Sequence, residues 1–137
     1  MAVGVDAELD ESSVDDVNET EDGIVSQWRE ISADERHQLR FIIDEVLWPL
    51  GYETSLVVIR RANSLAMYFI CMTLAALMSL RHQWRSHLLR DIVESLFTFL
   101  SGATQTVHVK RLIWPLSDYQ RCLGFFNSLQ GKQTIYT

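Results

Sequence analysis

Cysteine is scarce in this chain. Cys71 and Cys122 are the only two, each inside an apolar run and with no Cys-x-x-Cys spacing. That excludes a disulfide scaffold and a cysteine-based zinc site, and it leaves buried free thiols in a reducing compartment as the expectation. Proline occurs only as Pro49 and Pro115, and the six glycines form neither a phosphate-cradling loop nor a G-x-S-x-G elbow. Basic residues are missing from positions 1–28, so no secretory signal is read there and a cytoplasmic or nuclear protein is expected. Ser64–Leu80 is seventeen residues without a charge, at the short end for a spanning helix.

What is present is apolar and unevenly charged. A length of 137 residues at 47% hydrophobic suits one domain with one core. The net charge of −6 hides a division: residues 1–28 carry nine Asp and Glu, and the remainder is net +3. An acidic stretch with no aromatic residue before Trp28 is expected to stay unfolded. The expected organisation is therefore a disordered acidic tail over 1–28, a single compact α+β domain over 29–131, and a frayed C-terminus over 132–137.

Within that domain the patterns alternate. Ser32-Ala33-Asp34-Glu35 reads as a capping box, followed by Leu39, Ile42, Ile43, Val46, Leu47 and Leu50 at helical spacing, with Pro49 and Gly51 as the stop. This predicts a helix over 33–49. Ser55–Arg61 is β-branched, Ala62-Asn63-Ser64 suits a turn, and Leu65–Met72 is again strand-like, so a hairpin is expected. Thr73–Gln83 fits either a helix start or a third strand. Leu89, Ile92, Val93, Leu96, Phe97 and Leu100 make a second helical stripe, ended by Ser101-Gly102. Thr106–Trp114 alternates as a half-buried strand does, with a phase shift at Arg111 that a bulge would absorb. Ser117-Asp118-Tyr119-Gln120 reads as a second capping box, opening a last helix that ends at Gly131. The predicted order is α-β-β-α-β-α, a small two-layer sandwich with a mostly antiparallel sheet.

Chemistry is harder to find. No two of His37, His82, His87 and His108 share ligand spacing, so no metal or other cofactor is expected. Asp44 and Glu45 are adjacent on their helix and make no carboxylate dyad, and the thiols lie among apolar neighbours, so no catalytic residue is assigned. The main polar feature is basic: Arg81, His82, Arg85, His87 and Arg90 fall within ten residues, with Lys110 and Arg111 elsewhere in the chain. It reads first as a solvated rim, and second as a dock for an acidic or phosphate-bearing partner. Nucleic acid is not expected, because a net +3 body has no basic-aromatic stripe.

The reading is a non-enzymatic protein-interaction module, adaptor or regulatory, that binds other proteins or itself through a sheet edge or an aromatic surface. Candidate contacts are Trp48, Tyr52, Trp84 and Trp114 at element ends, with Arg81 and Arg85 as a polar rim, since Trp and Arg are enriched in interface hot spots. Each reads equally as core or plain surface, and Trp48 reads more as core. The rival function is a small membrane-associated protein with Ser64–Leu80 embedded. One echo also stands out, Leu47-Trp48-Pro49-Leu50 against Ile113-Trp114-Pro115-Leu116, read as two element boundaries with aromatic anchors.

Overall fold

The computed structural model describes residues 1–102 and 106–136, with side chains through Leu129. Its first element is a strand, β1 (Ala2–Leu9), in which Val3, Val5, Ala7 and Leu9 are buried and the residues between them are not. That is period-2 alternation, the mark of a strand with one face on a core. A 3-10 turn (Glu11–Ser13) leads to α1 (Val17–Ser32), whose N-terminus is capped by Asp16 accepting from the Glu19 N–H at 3.2 Å. The stretch expected to be a disordered tail therefore supplies a strand and most of a helix. Most of its charge stays at the surface, with Asp15, Asp16, Glu19 and Asp22 exposed, while Glu21 is buried and Ile24, Val25 and Trp28 enter the core.

The first capping box does not form. Ser32 is the last residue of α1, and Asp34 instead accepts from the Arg36 N–H within the connection to α2 (Arg40–Leu47). The long helix expected over 33–49 is thus a short one, followed by a 3-10 turn at Trp48–Leu50. The hairpin is present as β2 (Thr54–Arg61) and β3 (Leu65–Cys71). Thr73 then caps α3 (Leu74–Arg85), accepting from the Ala76 N–H at 3.1 Å. After α4 (Leu88–Ser101), stopped by Gly102 at φ 67°, come β4 (Val109–Ile113) and α5 (Leu116–Tyr136). Helix α5 starts before Ser117, so the second box does not form either, and its backbone runs on past Gly131 through most of the segment expected to fray.

The sheet order is β2-β3-β1-β4, with every neighbouring pair antiparallel. The predicted order lacked its first member, one of the two interior strands. Adding β1 turns the chain into β-α-β-β-α-β with a second helix in each crossover, the split β-α-β or ferredoxin-like arrangement. Helix α4 packs against α1, α2, α3 and β4, with Leu89, Val93, Leu96, Phe97 and Leu100 almost wholly buried. Ser64–Leu80 is not one segment: it divides into β3, flanked by β1 and β2, and the first half of α3. No helix among the described residues is long and apolar enough to cross a membrane.

Both sheet edges are irregular. On β4 the pairing skips Lys110, between Val109 opposite Leu9 and Arg111 opposite Glu8. On β2 it skips Val57, between Leu56 opposite Phe69 and Val58 opposite Tyr68. Bulges of this kind bend an edge and discourage pairing with a second sheet.

Candidate functional site

The six candidate contact residues divide into three environments. Trp84 and Trp114 surround Arg81, whose guanidinium lies 4.2 Å from the Trp84 ring centre, 5.0 Å from that of Trp114 and 4.9 Å from that of Tyr119. Arg81 is only 8% exposed and Trp114 2%. The cluster is tied by internal hydrogen bonds. Arg81 donates to the Trp114 carbonyl at 3.0 Å, the Trp84 indole N–H donates to the Leu112 carbonyl at 2.9 Å, and the Trp114 indole N–H donates to Asp118 Oδ2 at 2.9 Å. Asp118, read as part of a capping box, is instead held between Trp114 and Arg121. The cluster ties α3 to the end of β4 and the start of α5. Burial pushes the Arg81 guanidinium below its usual range, with Arg85 adding to the effect, and electron-rich ring faces take the place of a carboxylate partner. Arg81 and Trp114 are therefore interior residues, not a surface rim.

Trp48 and Tyr52 are placed the opposite way. Trp48 is 66% exposed and Tyr52 85%, so Trp48 is not core. Their rings meet edge to face with centres 5.2 Å apart. Between them Gly51 takes φ 90°, a backbone region that side chains with a Cβ avoid, and its N–H donates to the Trp48 carbonyl at 3.1 Å. The pair stands over a hollow of about 380 Å³ whose walls include Trp28, Ile43, Leu50 and Leu56 from the buried core. Phe41, on α2, is 62% exposed, and Val57 and Val58 of the bulged edge strand are 45% and 40% exposed.

Arg85 belongs to a third place. It lines a cleft of about 260 Å³ with Trp84, His87 and Arg90 from the α3–α4 corner and Lys110, Arg111 and Leu112 from β4. The sequence separates these two basic groups by some twenty residues; the bulge at Lys110 presents two consecutive cations to one cleft.

Both thiols are fully buried, and burial pushes each above the usual cysteine range, which leaves them unsuited to nucleophilic work. Among the described residues, no group of three or more His, Cys, Asp or Glu is placed to hold a metal ion. The hollow beneath the exposed rings also carries Ser32, Arg40, Asp44, Thr54 and Ser55 in its lining. No family model matches the chain, and neither a curated protein nor a solved structure matches it. Function has to be argued from the surface itself, since a shared topology does not carry one.

Sequence reasoning missed β1 and the meeting of the two basic groups. The first had a signal, the strict alternation of Val3, Val5, Ala7 and Leu9 with Gly4, Asp6 and Glu8. The second had none, because it depends on how α4 and β4 cross.

Proposed function

We propose that this chain is a non-enzymatic interaction module that binds another protein through the ledge of Trp48 and Tyr52 beside the adjoining hollow. The observation that carries the reading is two large aromatic rings, two-thirds or more exposed, fixed against each other at 5.2 Å. Leaving rings in water gives up burial of roughly 2 kcal/mol each, and a partner that covers them recovers it. Rigid aromatics over a pocket are also the usual anchors of binding energy. The partner chemistry that fits is an apolar side chain seated in the hollow, with a polar surround met by Arg40 and Asp44 on its wall. Self-association through the same ledge is a second reading, supported by exposed Val57 and Val58 next door. Pairing through the β2 edge is the weaker route, because the bulge at Val57 interrupts the ladder.

A photo-crosslinking amino acid at position 52, in the full chain expressed in cells of its source, tests this. The expected result is a discrete protein adduct that Trp48→Ala abolishes and Glu35→Ala leaves unchanged. An adduct of twice the chain mass selects self-association. A lipid adduct, or a diffuse smear indifferent to Trp48→Ala, contradicts the proposal.

A further inference from the structure

The cleft between the α3–α4 corner and β4 has a use of its own. Four permanent cations line it, Arg85, Arg90, Lys110 and Arg111. Only Arg111 has a carboxylate partner, Glu8; among the described residues no acid lies within ion-pair distance of the other three. Three other carboxylates stand nearby. Glu94, one turn beyond Arg90 on α4, accepts from the Val109 N–H at 2.8 Å and lies 3.6 Å from His108. Asp91 sits in the first turn of α4, and Asp10 is held by Ser12 and senses His108 and Lys110 more weakly. Gathering cations without matching acids is unfavourable by self-repulsion, so their convergence calls for an anion. Two further observations point the same way. The Nε of Arg90 is buried with no hydrogen-bond partner. The N-terminus of α4 opens at this corner, preceded by His87 in a left-handed conformation, and no side chain caps it. Uncapped helix N–H groups and guanidinium forks are the two commonest holders of phosphate oxygens.

We infer that this cleft binds a phosphate monoester. With Glu8 counted against Arg111, three of the four cations remain without an ion-pair partner among the described residues, which suits a dianion better than a single carboxylate. Beside them lie Trp84, whose indole N–H is already engaged, and Leu112, so the ligand meets ring and aliphatic surface next to its phosphate. The small volume and the net charge of −6 over the chain favour one phosphate over an extended polyanion, which the rest of the surface would repel. The phosphate is carried either on a peptide serine or on a small metabolite; the chemistry at the cleft is the same.

The test is a titration of the ¹⁵N-labelled full chain, followed by NMR, with N-acetyl phosphoserine amide, ribose 5-phosphate and inorganic phosphate, each organic ligand beside its unphosphorylated form. Saturable shifts are expected at the Trp84 indole N–H and the Leu88–Arg90 and Lys110–Leu112 amides, from the phosphorylated ligands alone. Arg90→Gln and Lys110→Gln should each weaken binding about ten-fold, the loss expected for one charge-assisted hydrogen bond. Arg85→Gln, at an exposed position, gives the same comparison if either variant folds poorly. Tighter binding of phosphoserine assigns the ligand to a peptide, and tighter binding of ribose 5-phosphate assigns it to a metabolite. Shifts that do not saturate, that ignore these substitutions, or that appear equally with the unphosphorylated forms overturn the inference. So does duplex DNA binding more tightly than any monoester.

Discussion

Leu47-Trp48-Pro49-Leu50 and Ile113-Trp114-Pro115-Leu116 are nearly the same four residues put to opposite uses. In the second, the chain leaves β4 for α5, and Trp114 turns inward against Arg81, Trp84 and Tyr119. In the first, the chain leaves α2 for an edge strand. Leu50 takes the buried position at 6% exposure, and Trp48 is left outside at 66%. A proline ends the preceding element in both cases. What differs is the number of elements crossing there. Trp114 lies where α3, β4 and α5 meet, and Trp48 lies at a rim with solvent on one side. Aromatic content alone therefore predicts neither burial nor binding; the junction decides.

The largest expected effect comes from breaking the inward copy. Trp114→Ala removes a ring packed against three neighbours and should cost about 3–5 kcal/mol, measured by urea unfolding. Arg81→Ala leaves the rings but takes away the cation they surround. About 2 kcal/mol is expected for a desolvated cation–π site, and Arg81→Lys should recover only part of it, because a point charge does not stack as a planar guanidinium does. If Arg81→Ala is neutral, the rings hold the junction without the charge.

A smaller effect sharpens the same contrast with a buried charge of the other sign. Glu21 is 6% exposed on α1 and has Arg61 Nε at 3.5 Å. Burial raises its carboxyl pKa from an ordinary value near 4.5, with Arg61 opposing the rise. The folded state therefore holds the Glu21 proton more tightly than the unfolded chain does. The contribution is most favourable at acid pH and is lost as pH rises through the folded value. Glu21→Gln should leave stability at pH 7 unchanged or raise it by up to about 1 kcal/mol, and should flatten its fall as pH rises above the ordinary carboxyl value. A clear loss at pH 7 would mean that the pairing with Arg61 outweighs the burial.

Much of the domain was legible. The β2–β3 hairpin with its turn, the α4 stripe and its glycine stop, and the irregularity near Arg111 all followed from local pattern, because periodicity reports which face is buried. The irregularity proved to be the Lys110 bulge. The α+β character followed too. The errors share a cause. At β1 the count of acids hides their position: Asp6 and Glu8 lie on the face of the strand away from the core residues Val5, Ala7 and Leu9. At Ser32 and Ser117 a capping sequence falls where the backbone is already helical. For the candidate contacts, Tyr52 and Arg85 are exposed, while Arg81 and Trp114 are interior. No local pattern separates Trp48 from Trp114, because burial at those positions is set by elements far away in the chain.

The most direct test of this division of roles is denaturant unfolding of Trp48→Ala side by side with Trp114→Ala. Trp48→Ala is expected to stay within about 0.5 kcal/mol of the parent chain, while Trp114→Ala loses several times that. Equal losses would mean that Trp48 is part of the packed core, and the exposed ledge, with the binding role proposed for it, would not stand.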